Sequence, residues 1–422
     1  MACSARTAGR LFTQGLPKTH IVHSQASTSI RTATNPQSYS TTVLCKLQFQ
    51  STRQYQNDVL RCQQPVCSSN TSITRKRQST GTISKSRRPR LVRNLQSLTP
   101  SLSNRTFSSS AKHQKGALTA KVAIIGAGDV GSTIAYSLVL NPIAGDVLLI
   151  DPKTEVRDAQ AQDLSDSTYH GDTSTRVRPA EPKEAGQCDI IVITAGAPQQ
   201  EGESRTDLIG KNIKILSSAI EPMKPFREDA IILVVANPVD PLTYFAQKMS
   251  GLPHNQVFGS GTFLDSARLR GILAERTGIA ADSIEAHVLG EHGDSQLVAW
   301  SHAAIRGVPI DQVVTEPLDK EGIADETKQK AATISKAKGA TNYGIGGVAS
   351  SLCKSVLFDQ RNIRPVSHWQ EKFGVCLSMP AVIGREGIVR SIPMKLSNDE
   401  KTKLEESAKS MKEIIEGVEK DQ

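Results

Sequence analysis

The feature that most constrains the fold of this chain lies near residue 120. Lys121-Val-Ala-Ile-Ile125 is an apolar run of strand length that leads straight into Gly126, Gly128 and Gly131, spaced G-x-G-x-x-G. Ile134, Ala135, Leu138 and Val139 then follow at helical spacing. A lone glycine triplet is weak evidence, but between a strand and a helix it demands a specific tight reversal. Gly126 permits the turn, Gly128 lets a pyrophosphate approach the backbone, and Gly131 lets helix and strand pack closely. Free N–H groups and the positive dipole end of that helix, with Asp129 and Val130 in its first turn, face the phosphates. A second apolar run, 147–150, ends in Asp151, 20 residues after Gly131, where a dinucleotide fold places an acid for the adenosine ribose. A carboxylate there repels the extra phosphate of NADP, so NAD is the expected cofactor.

Two more apolar strands are predicted at 190–194 and 231–235. The first runs through Thr194 into the loop Ala195, Gly196 and Ala197. The second runs into Ala236, Asn237 and Pro238. Strands alternating with helices predict an α/β fold, a Rossmann-type doubly wound parallel sheet, in which ligands bind at the carboxyl ends of the strands. Gly126, Asp151, Gly196 and Asn237 all fall at such ends. The expected organisation is a nucleotide-binding domain over 119–259 and an α+β substrate domain over 260–422. A further strand is read at 286–289. Ser397 and Glu400 have the spacing of a capping box before a helix whose apolar face is Leu404, Ala408, Met411, Ile414, Ile415 and Val418.

Charge divides the chain differently from its average. The 422 residues carry a net charge of +9, but residues 1–120 hold 18 Lys or Arg and one acid, Asp58, leaving the rest at −8. A nucleic-acid role for the body therefore does not follow from the overall charge. Residues 1–118, rich in Ser, Thr, Gln and Arg with no sustained apolar period, are predicted to be disordered. That composition is also that of a mitochondrial transit peptide, and Arg105-Thr-Phe-Ser-Ser109 is similar to a matrix-protease cleavage site. Import into the matrix is the expectation. A plain tail, an upstream mistranslation with a cytoplasmic protein, or nuclear-type basic patches at Arg75-Lys-Arg77 and Arg87, Arg88 and Arg90 remain open. The seven cysteines form no Cys-x-x-Cys pair and no Cys/His cluster, so neither a disulfide framework nor a structural metal is expected. No apolar run reaches the ~20 residues that span a bilayer, so no membrane insertion is expected.

The polar stretch 199–205, from Gln199 to Arg205, reads as a mobile lid after a strand. Asp265 and Arg268 are three apart in a predicted helix, so both can project from one face. His292 follows the predicted strand 286–289 in Gly290-Glu-His-Gly-Asp294. His170, His254, His302 and His368 read as loop residues, and His287 as a structural strand histidine.

With the glycine turn, the stretches 194–205, 236–240, 264–268, 290–294, 338–345 and 380–388 together resemble the lactate/malate dehydrogenase family, over nearly all of residues 119–420. The resemblance implies reversible hydride transfer between NAD(H) and a small 2-hydroxy or 2-keto acid. It implies that His292 is the acid/base, oriented by Asp265, and that Arg268 clamps the substrate carboxylate with a two-point fork. Arg205, arriving with the lid, would stabilise charge on the carbonyl oxygen, and Asn237 would bind near that oxygen and the nicotinamide. The implied cofactor set is Gly126, Gly128, Asp129, Val130, Gly131, Asp151, Thr194, Ala195, Gly196, Asn212 and Asn237. The implied substrate set is Gln199, Arg205, Asn237, Arg268 and Thr341.

Malate-acting relatives carry an arginine where this chain has Gln199, and Thr341 resembles the residue that confines a small substrate. Lactate and pyruvate are therefore the expected pair, with malate or another 2-hydroxy acid as the alternative. A homotetramer, or a dimer, is implied by the family. A binding protein of this fold, with its basic tail on nucleic acid or a membrane, is the reading from another class; the intact set His292, Asp265, Arg268 and Arg205 argues against it, and no nucleic-acid partner is expected.

Overall fold

A computed structural model describes residues 119–170, 174–198 and 205–420, the side chains of His170, Arg205 and Thr206 excepted. The predicted extension 1–118, its cleavage-like sequence and the lid residues 199–204, Gln199 included, lie outside the described residues.

The first half alternates strands and helices in the predicted order. The elements are β1 (Lys121–Ile125), α1 (Asp129–Leu140), β2 (Asp146–Ile150), α2 (Thr154–Asp166), β3 (Arg176–Pro179), α3 (Pro182–Ala185), β4 (Ile190–Ile193), α4 (Arg205–Ile220), β5 (Ile231–Val234), α5 (Val239–Ser250) and β6 (Val257–Gly259). The strands pair in parallel in the order β6-β5-β4-β1-β2-β3, the doubly wound arrangement that places a ligand crevice between β1 and β4. Successive strand residues face opposite sides. Val122 and Ile124 bury against α1, α2 and a later helix, while Ala123 and Ile125 bury against α4, α5 and the last helix. Both faces are covered, which is why these strands read as unbroken apolar runs.

The second half comprises α6 (Phe263–Thr277), β7 (Ile284–Glu285), β8 (Val288–Leu289), β9 (Leu297–Val298), β10 (Ala304–Ile305), β11 (Val308–Pro309), α7 (Ile310–Val313), α8 (Lys320–Lys338), α9 (Tyr343–Leu357), β12 (Asn362–Gln370), β13 (Val375–Gly384), β14 (Gly387–Ser391) and α10 (Asn398–Lys420). Strands β12, β13 and β14 pair antiparallel and join the edge of β6, making one nine-stranded mixed sheet. Buried Asp189 at the start of β4 accepts from Lys121 N, Arg227 and Arg385, tying the parallel strands to the β13–β14 turn.

Two local expectations need correction. The strand read at 286–289 is shorter than expected: only Val288–Leu289 (β8) is extended and pairs with β9, while the preceding β7 pairs with β10 in a different sheet. The chain changes sheets at Ala286 and His287, where Val288 N donates to Ser266 Oγ. His368, read as a loop residue, is buried in the middle of β12 with Nδ1 on Val366 O; burial outweighs that bond and holds its pKa below the ordinary value. The capping box forms as a reciprocal pair, Ser397 N to Glu400 Oε2 and Glu400 N to Ser397 Oγ, and α10 buries the predicted face apart from half-buried Ile414. No helix among the described residues is long and apolar enough to cross a membrane.

Candidate active site

The glycine turn is shaped by what its neighbours leave no room for. Gly126 has φ +104°, and a Cβ there would sit 2.8 Å from Thr194 Oγ1. A Cβ on Gly131 would lie 1.9 Å from Gly126 O, so α1 can approach β1 this closely only with glycine. Gly128 differs: a Cβ would meet nothing within 4 Å. The space beside this exposed residue is open, and the first amides of α1 have no intrahelical acceptors. Asp129 is exposed and Val130 half-buried in that first turn. Asp151, at the end of β2, accepts from Ala127 N (2.9 Å) and Lys153 N (2.8 Å), which hold its carboxylate beside the turn. An open cradle of amides next to a fixed carboxylate fits a dinucleotide's pyrophosphate and ribose.

The carboxyl ends of the other strands are linked to this turn by hydrogen bonds. Thr194 Oγ1 donates within reach of Ile125 O and Gly126 O, both at 3.0 Å, and Ala195 N donates to Ile125 O. Asn212 is buried in α4. Its Oδ1 accepts from Ala197 N (2.7 Å), and its Nδ2 donates to Ala197 O (3.2 Å) and Asn237 O (2.9 Å). That amide clamps the loop after β4 to the loop after β5. Gly196 and Asn237 are exposed at the tips of those loops.

From Asn237 the path continues into the second half. Asp240, in the first turn of α5 and 1 % exposed, accepts the His292 backbone N–H on Oδ2 at 2.7 Å. The His292 ring contacts Asp265 Oδ2 through Nδ1 at 2.6 Å, and Arg268 Nη1 donates to Asp265 Oδ1 at 3.2 Å. One buried carboxylate thus orients both the imidazole and the guanidinium. Burial pushes the His292 imidazole down, but Asp265, with Asp240 adding to it and Arg268 opposing, holds it above its ordinary value. Burial likewise pushes Asp265 up, while His292 and Arg268 hold it below the usual carboxylate range. The result is a readily protonated imidazole beside a guanidinium held by the same carboxylate.

The loop bearing His292 is fixed from further sides. Gly290 and Ser378 exchange backbone hydrogen bonds, Glu291 N donates to Ser407 Oγ, and Glu291 Oε2 meets Ser295 Oγ at 2.5 Å. Asp240, Glu291 and Ser407 were not singled out as site residues in the sequence. Asp240 carried a signal, an acid in a first helical turn, but that position ordinarily means only a favourable dipole contact. Thr341 is half-buried and precedes Asn342, whose Nδ2 donates to Thr133 Oγ1 of α1 at 2.9 Å. Arg205 is the first residue of α4. Among the described residues, hydrogen bonds and short stretches of chain thus link Gly126, Thr194, Ala197, Asn212, Asn237, Asp240, His292, Asp265 and Arg268.

Comparison with known proteins agrees with that geometry. Residues 120–259 match the model of the lactate/malate dehydrogenase NAD-binding domain, and residues 262–422 that of the family's alpha/beta C-terminal domain. An L-lactate dehydrogenase A of Rhizopus oryzae is 45 % identical over 298 residues, covering 70 % of this chain and 92 % of that protein. An L-lactate dehydrogenase of Kosmotoga olearia is 40 % identical over 316 residues, covering 71 % and 96 %. Among solved structures, a minor L-lactate dehydrogenase from Enterococcus mundtii superposes with TM-score 0.69 at 32 % identity, covering 71 % of this chain and 99 % of that one.

Proposed function

The chain belongs to the lactate/malate dehydrogenase family, and we propose that it interconverts L-lactate and pyruvate using NAD. The observation that carries this reading is the unbroken run of contacts joining the glycine turn to the His292, Asp265 and Arg268 cluster. Gly126, Gly128, Gly131, Asp129, Val130, Asp151, Thr194, Ala195, Gly196 and Asn237 line the place for NAD, with Asn212 holding two of the loops together. Bound NAD supplies the hydride acceptor for lactate oxidation, and NADH the donor for the reverse reaction.

The protein's residues then have separate tasks. His292 takes the hydroxyl proton as lactate is oxidised and returns it to the carbonyl oxygen as pyruvate is reduced. Asp265 keeps its Nδ1 side occupied, which leaves Nε2 to face the substrate oxygen. Arg268 pairs the substrate carboxylate in a fork that Lys cannot reproduce. Arg205, on the lid, stabilises charge growing on the carbonyl oxygen, and Thr341 limits the size of the substrate's other end.

Gln199 favours pyruvate because a neutral amide cannot pair a second carboxylate, and an unpaired buried charge costs about 3–5 kcal/mol. NADH oxidation with pyruvate and oxaloacetate, compared side by side, tests the reading. Wild-type protein is expected to prefer pyruvate, and Gln199→Arg to gain on oxaloacetate while losing on pyruvate. An unchanged preference in the variant would remove the specificity argument, and oxaloacetate preference in the wild type would favour the malate alternative.

Assembly and destination are part of the same proposal. Tyr136 and Leu140, an i,i+4 pair on α1, are 45 % and 59 % exposed, and Tyr343 is 73 % exposed; apolar surface of this kind suits burial by further copies in a homotetramer. The basic, acid-poor extension supports matrix import with removal of the segment before the first strand. Native mass measurement of the protein from its host reads both, with four trimmed copies expected. A full-length monomer would refute both parts.

A further inference from the structure

His292 is held at two places by two different carboxylates. Asp265 on α6 binds its ring, and Asp240 on α5 binds its backbone N–H at 2.7 Å. Asp240 is 1 % exposed and sits in the first turn of α5. It is three residues from Asn237, whose carbonyl is clamped by Asn212. A rigid link therefore runs from the cofactor loops directly to the main chain of the acid/base.

We propose that Asp240 is a positioning residue for the reaction, fixing the main chain of His292 and supplying a second negative charge to its ring. The inference rests on the lactate dehydrogenase reading given above. Among the described residues, the charged groups that act on the imidazole are Asp265 and Arg268 from α6 and Asp240 from α5. On its own loop, Glu291 bonds Ser295 and Asp294 pairs with Lys328. Asp240 acts on the ring in the same direction as Asp265, keeping it protonated to higher pH, and against Arg268. Pyruvate reduction consumes the protonated ring, so its rate falls as pH rises through that pKa.

Two substitutions separate the hydrogen bond from the charge. Asp240→Asn keeps a carbonyl oxygen for the His292 N–H and removes the charge; Asp240→Ala removes both. Asp240→Asn is expected to move the fall in the rate of pyruvate reduction down by ~0.5–1 pH unit. Asp240→Ala is expected to lose roughly tenfold in kcat, since a buried N–H is left without its acceptor, with the KM for NADH unchanged in both. Titration of labelled histidine rings by NMR, with the His292 signal assigned through His292→Asn, reads the same shift without turnover. Wild-type protein that turned over no pyruvate would overturn the functional reading and this inference together. Normal turnover with coincident titrations in wild type and Asp240→Asn, or full kcat in Asp240→Ala, would overturn the inference alone.

Discussion

Replacing His292 by Asn is expected to lower kcat for pyruvate reduction by roughly 10³–10⁴-fold while NADH binds as before. General acid–base catalysis by one positioned group contributes about 10²–10⁴-fold, and the upper part of that range applies because this imidazole is already tuned. Burial pushes the ring's pKa down, but Asp265 at 2.6 Å, together with Asp240, holds it above its ordinary value. An asparagine there can donate a hydrogen bond to the carbonyl oxygen but cannot deliver a proton. Steady-state rates together with NADH fluorescence titration separate the two effects. A loss smaller than tenfold would mean that the proton comes from elsewhere. In the wild type, pyruvate reduction falls and lactate oxidation rises as pH climbs through the raised His292 pKa, because the two directions use opposite protonation states.

Arg268→Ala is expected to reduce kcat/KM for pyruvate by about 10²–10³-fold, with the larger share in KM. Its side chain is 10 % exposed, and Nη1 already leans on Asp265 Oδ1, which leaves the other donors of the guanidinium for a carboxylate. Removing it leaves the substrate carboxylate buried without its partner, and stranding a buried charge costs about 3–5 kcal/mol. Arg268→Lys is expected to recover only part of the loss, since an ammonium restores charge without the planar fork. The check is a substrate series at saturating NADH. An unchanged pyruvate KM in Arg268→Ala would place the carboxylate clamp on another residue.

Much of this site was legible because its parts are local. The glycine turn and Asp151 lie within 26 residues, and their spacing forces the turn, the helix and the second strand before any packing is considered. Asp265 and Arg268 are one helical turn apart and were readable as neighbours. His292 stood out from the other histidines through the family resemblance; the residues around it did not set it apart physically. His368 was misread because a lone histidine carries no period, and only the pairing of β12 between β6 and β13 buries it.

The sequence by itself determined the local elements: apolar runs that must be covered on both faces, a glycine reversal, an acid at the end of β2 and the capped last helix. These follow from backbone sterics and the period of burial, which act over a few residues. Tertiary structure decided which distant groups meet. The pairs Thr194 with Gly126, Asp240 with His292, and Asp265 with His292 span 68, 52 and 27 residues. The switch of sheets between β7 and β8 and the joining of β12 to β6 also depend on the order in which strands are laid side by side. Spacing along the chain cannot encode such contacts alone, because a hydrogen bond between remote segments forms only where the packed sheet brings both ends to the same border.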